Sequence, residues 1–190
     1  MKFVDRKTIL AFAAELSERF QHPATIYLIR EPSLVFEGWR RWSDRLEFAA
    51  EVADAQRAAF AEAVDAIGKQ AGLKLQFEHP VDVIPLPEGF ERRAIPIPDS
   101  AFEAPLQKLT FFHFDPYSVA FRYIARGDEQ DYHLVLNYLS HGWIVFEKMD
   151  ELLVELLERF SFDTIQQDPA EFRRKFKGLL QMWRSHSSGQ

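Results

Sequence analysis

Arg45 and Glu47 are separated by one residue in Asp44-Arg45-Leu46-Glu47-Phe48. Leu46 and Phe48 alternate with them, which predicts a strand over 45–49 whose successive side chains point to opposite faces. Arg45 and Glu47 then share a face, as a solvated ion pair contributing about 0–1 kcal/mol. Asp44 joins Glu47 only if the strand slips by one residue, which buries Glu47 and exposes Phe48. Arg126 falls near the C-terminus of one predicted helix and Asp131 in the first turn of the next. Both charges are stabilised there by the helix dipole, and both are also placed to hold a ligand.

Other chemistries find less support. No cysteine is present, so disulfides, thiolate metal sites and cysteine nucleophiles are excluded. The histidines (His22, His79, His113, His133, His141 and His186) lack the i, i+4 spacing of a metal site, and no metal is expected on them. No serine sits in a nucleophile-elbow context. Arg173, Arg174, Lys175 and Lys177 read as the solvated face of an amphipathic helix.

The elements that must position these residues follow from periodicity. Ile9, Phe12, Ala13, Leu16 and Phe20 form one helical stripe, ended by Pro23. Thr25–Ile29 reads as a buried strand, and Pro32 as a helix start closed by Gly38. A helix over 54–71 ends at Gly72, and Leu73, Leu75 and Phe77 alternate as a half-buried strand. The proline-rich middle suggests strand fragments over 81–84 and 93–97, then a strand over 106–114.

Asp115-Pro116 signals a helix N-cap. Four helices fill the rest: one to Gly127, then 128–140, 147–160, and one from Pro169. The last buries Phe172, Phe176, Leu179, Leu180 and Trp183. The expectation is an α+β protein: a mixed sheet flanked by helices over 1–114, a helical part over 115–185, and a frayed tail over 186–190.

The chain has 190 residues, 47% of them hydrophobic, with 18 Phe and 4 Trp. That supplies a core without covalent staples. A net charge of −6 opposes broad nucleic-acid binding. No apolar run approaches the roughly 20 residues of a membrane span, and no leader-like stretch opens the chain. With the absence of cysteine, this points to the cytoplasm.

Three segments, in order, resemble the minimal nucleotidyltransferase-like proteins related to the toxins of abortive-infection systems. They are Tyr27-Leu28-Ile29-Arg30-Glu31-Pro32-Ser33 with Gly38-Trp39-Arg40 through Phe48; Pro80-Val81-Asp82 through Arg93; and Phe114-Asp115-Pro116-Tyr117 through Arg126-Gly127 to Asp131. The resemblance spans roughly 24–145. It implies a strand running into a Gly-Gly-Ser turn, then two acids at i and i+2 that hold magnesium against a nucleoside triphosphate. It also implies close backbone approach to the phosphates.

The sequence departs at most of those positions. Arg30 and Glu31 replace the glycines, Pro32 replaces the small hydroxyl residue and Ser33 follows it. Arg45 replaces the first acid, Glu47 keeps the second, and Gln76 stands in the register of a third, with Asp82 further on. Tyr123 stands where a lysine is expected and Leu134 where a second acid follows Asp131. Arg126, Gly127 and Asp131 are retained.

The resemblance thus implies a catalytically degenerate scaffold that binds a nucleotide or a protein partner, as in a toxin–antitoxin-like pair, and needs no cofactor. A second reading is an active enzyme using Glu47 with Asp44 or Asp82, with magnesium and a nucleoside triphosphate. A third is a homodimeric interaction module joined through its exposed aromatics. Phe36, Trp39 and Trp42 fill the cleft, stack a base or meet a partner chain.

Overall fold

Asp5 opens the first helix: its carboxylate accepts from the Thr8 amide at 2.8 Å, satisfying a donor the helix itself leaves unpaired. The computed structural model describes residues 3–78, 86–160 and 168–187. The expected strand over 81–84 lies outside them. The chain divides into two compact units, Met1–Asp82 with Ala94–Phe114, and Val83–Arg93 with Asp115–Gln190. The architecture is α+β, a five-stranded mixed sheet with flanking helices followed by a helical C-terminal part.

In the first unit, α1 (Arg6–Arg19) precedes β1 (Ala24–Leu28), α2 (Glu31–Phe36) and β2 (Leu46–Val52). A 3-10 turn over Asp54–Gln56 leads into α3 (Arg57–Ala71), then β3 (Leu75–Glu78). After α4 (Phe90–Arg93), which belongs to the second unit, come β4 (Ile95–Pro96) and β5 (Leu109–His113). The expected fragment over 93–97 is therefore shorter, because Arg93 ends a helical turn. The strand expected over 106–114 is trimmed at both ends.

The sheet order is β3-β2-β1-β5-β4. β1 pairs antiparallel with β2 and parallel with β5; β2 pairs parallel with β3, through the crossover helix α3. Ile26, Leu28, Leu46, Phe48, Leu109 and Phe111 turn to the helix side and join Phe12, Leu16, Phe60 and Ile67 in one core. The other face carries Thr25, Tyr27, Glu47, Ala49 and Phe112, as the two-residue period requires.

The second unit is helical: α4, α5 (Pro116–Arg126), α6 (Glu129–Ser140), α7 (Phe146–Phe160) and α8 (Pro169–Ser187). Asp115 caps α5 through the Tyr117 amide at 3.1 Å, and Gly127 closes it in the left-handed conformation at φ 76°. Phe121, Ile124, Leu156, Phe172, Phe176 and Leu179 are buried. Leu180 and Trp183 are half-buried rather than core, and α8 runs through Ser187, past the expected start of the frayed tail.

Candidate functional site

A partly buried charged constellation of the first unit forms where β1 turns into α2. Leu28 ends the strand, Ile29 donates its amide to the Glu47 carbonyl at 3.2 Å, and Arg30 makes the turn at φ 61°, ψ −132°. That conformation is natural for glycine and strained for any residue with a Cβ. The following turn is fixed from beneath, since the buried Ser33 hydroxyl donates to the Leu28 carbonyl at 2.8 Å. Ser33 is thus a structural lock of the elbow, with its hydroxyl already engaged.

The elbow aims Arg30 at β2. Its Nη1 donates to both oxygens of Glu47, at 2.9 and 3.1 Å. Arg45, just before the strand, brings Nε to within 3.1 Å of Glu47 Oε1. Glu47 faces away from the helix layer yet is only 7% exposed. The solvated Arg45–Glu47 pair expected from the sequence is therefore corrected: Glu47 is buried, and its closest cation is Arg30, whose side chain is 12% exposed against 51% for Arg45. The strand begins at Leu46, so Arg45 adjoins it rather than opening it.

The register completes the group. Glu47 lies opposite Gln76 on β3, and Arg45 Nη1 reaches Gln76 Oε1 at 3.4 Å. Glu31 pairs with Arg40 at 3.3 Å. Burial pushes the Glu31 carboxyl above its ordinary range; Arg40 opposes that, and the charges of Glu47 and Asp44 add to it. Asp44 is exposed in the bend before β2, and the slip that would bring it beside Glu47 has not occurred, because Leu46 and Phe48 occupy the core. Asp82 lies outside the described residues.

The aromatic cluster expected near this site divides. Phe36 is core, 5.7 Å from the His113 ring, whereas Trp42 is exposed and packs on Phe3 at 4.3 Å between ring centroids. His113 is buried, with Nε2 2.9 Å from Glu37 Oε1. No sequence spacing signals that contact, which joins residues 76 apart.

Arg126 and Asp131 belong to the second unit. Arg126 Nε lies 3.1 Å from Asp131 Oδ2, across the short connection between α5 and α6, and Asp131 is buried. Lys175 Nζ donates to the Ala125 carbonyl at 2.6 Å, meeting the C-terminal end of α5. The basic run on α8 is therefore not uniformly solvated, since Lys175 is a helix cap.

Asp115 is a residue whose full role the sequence conceals. Beyond capping α5 it is fully buried, accepts from Ser118 Oγ at 2.7 Å and pairs with Arg93 Nη2 at 2.8 Å. Asp115-Pro116 signals the cap, but nothing in the spacing signals Arg93, 22 residues earlier.

Among the described residues no group of three His, Cys, Asp or Glu side chains is placed to hold a metal ion. Nor is any described helix long and apolar enough to cross a membrane. Comparisons of the chain with protein-family models, curated proteins and solved structures find no match.

Proposed function

We propose that this chain is a cytoplasmic nucleotidyltransferase-like scaffold that no longer transfers nucleotides and acts by binding a nucleotide or a protein partner. The observation carrying this reading is the Arg30–Glu47 contact. Arg30 has the backbone conformation of a glycine, at the position where the resembled family has one, and its guanidinium engages both oxygens of Glu47. A metal ion at Glu47 would have to displace that guanidinium and face Arg45 as well. Gln76, in register with Glu47, adds a neutral amide in place of a further hard anionic ligand.

The reading therefore requires no magnesium for binding. Arg40 and Arg45 stay partly exposed and offer cationic donors to an anionic group of a ligand or partner. An active enzyme using Glu47 with Asp44 or Asp82 is the competing reading, and one titration separates the two. ATP, GTP, CTP and UTP are added to the protein by calorimetry, with and without magnesium. The expected result is no binding, or binding indifferent to magnesium. Tight binding that appears only with magnesium would overturn the proposal and favour the enzyme.

A further inference from the structure

We infer that two copies of this chain join through β3, edge to edge and antiparallel, so that one sheet runs through both. This goes beyond the binding reading above and does not depend on it.

β3 stands at the end of the sheet order, with β2 on one side only. The Leu46 amide donates to the Lys74 carbonyl at 2.9 Å, so along β3 the main-chain groups of Lys74, Gln76 and Glu78 turn to β2. Those of Leu75 and Phe77 turn outward, and among the described residues no hydrogen bond engages them. An unpaired strand edge of this kind is a template for a second strand. The opposite edge is closed to such pairing: β4 is two residues long and one of them is Pro96.

The side chains select a second copy as the occupant. Only an antiparallel pairing centred on Gln76 sets the outward groups of Leu75 against those of Phe77 and, by the twofold, the reverse. In that same register Lys74 of each copy stands opposite Glu78 of the other, at closely spaced positions, and Gln76 faces its own amide. Moving the centre to Leu75 or Phe77 keeps the backbone match but loses both charge pairs. The edge is thus complementary to itself in charge and in hydrogen bonding at one register.

The flanking surface agrees. Phe77 is 40% exposed although it stacks on Phe48 at 5.6 Å. Shallow grooves run beside it, one lined in part by Ala61, Leu73 and Leu75, the other by Ala50, Val52 and Phe60. A paired strand would bring Leu75 of the second copy against Phe77, adding apolar cover to the ladder.

Sedimentation equilibrium on the full chain over a concentration series tests this. The wild type is expected to reach twice the mass of one chain. Lys74→Glu and Glu78→Lys, each setting like charges opposite each other twice per dimer, are each expected to weaken association about tenfold or more. The double variant carrying both swaps is expected to restore it. Leu75 and Phe77 amide exchange should slow as the wild type associates, and circular dichroism confirms that each variant is folded. A wild type that stays monomeric throughout overturns the inference. So does a dimer indifferent to both single swaps, or one whose Leu75 and Phe77 amides stay unprotected.

Discussion

Arg30 and Glu47 stand 17 residues apart in the chain, and one guanidinium nitrogen of the first reaches both carboxylate oxygens of the second. The contact depends on an elbow that an L-residue adopts only under strain, at φ 61° and ψ −132°. Strain of this kind persists only where the surroundings over-determine it. Here the Ser33 hydroxyl on the Leu28 carbonyl and the Ile29 amide on the Glu47 carbonyl hold both sides of the turn.

The burial of the two cations differs, and so should the cost of removing each contact. Glu47→Ala leaves the mostly buried Arg30 side chain, 12% exposed, without its carboxylate and is expected to destabilise the fold by about 3 kcal/mol. Arg45→Ala removes a half-exposed cation and should cost less than about 1 kcal/mol. Urea denaturation of both variants checks the asymmetry. Equal losses would mean that the burial of Arg30 does not set the energy.

The strain at Arg30 is separable from its charge. In the Glu47→Ala background, adding Arg30→Gly removes a mostly buried cation that has lost its carboxylate and relaxes the backbone at once. The double variant is expected to be more stable than Glu47→Ala alone by about 1–3 kcal/mol. A double variant less stable than the single one would show that the Arg30 side chain packs favourably even without its partner.

Asp115 should be far less tolerant than an ordinary helix cap. It holds the Tyr117 amide, the Ser118 hydroxyl and the Arg93 guanidinium from a fully buried position. Asp115→Ala is expected to cost about 3–5 kcal/mol, well above the ~1 kcal/mol of an exposed cap. Thermal unfolding reads this directly, and a loss near 1 kcal/mol would reduce Asp115 to its capping role.

Acid should weaken the first unit partly through Glu37. Its hydrogen bond with His113 holds the Glu37 carboxyl below the ordinary carboxylate range, although partial burial opposes this. A carboxyl depressed in the folded state contributes stability that is complete above its unfolded value and is lost as pH falls through the folded one. Glu37→Gln should therefore lower stability most near neutral pH, by an amount that shrinks as pH falls, and so flatten the acid side of the stability curve. Urea midpoints measured from neutral pH down to about pH 3 test the sign, and an unchanged acid slope would refute it.

Much of the local structure was legible in the residues themselves. The Ile9–Leu16 stripe forms α1, Asp115-Pro116 starts α5 and Gly127 ends it, because periodicity, caps and left-handed glycines are properties of neighbouring residues. The facing of Glu47 away from the core was also legible, since Leu46 and Phe48 fix which side is buried. The class of fold followed from the same patterns.

Tertiary structure decided what those faces meet. Alternation puts Arg45 beside Glu47, but only the strained elbow and the β1–β2 pairing bring Arg30 onto its carboxylate. Arg126 and Asp131 each read as a helix-end charge, and only the geometry of the α5–α6 connection makes them one ion pair. Arg93 with Asp115, and His113 with Glu37, leave no trace in spacing, because long-range contacts depend on how whole elements pack. The sequence by itself determined the elements and their buried faces, through interactions local in the chain. Which buried charges neutralise one another was decided only in three dimensions, where desolvation requires each to find a partner.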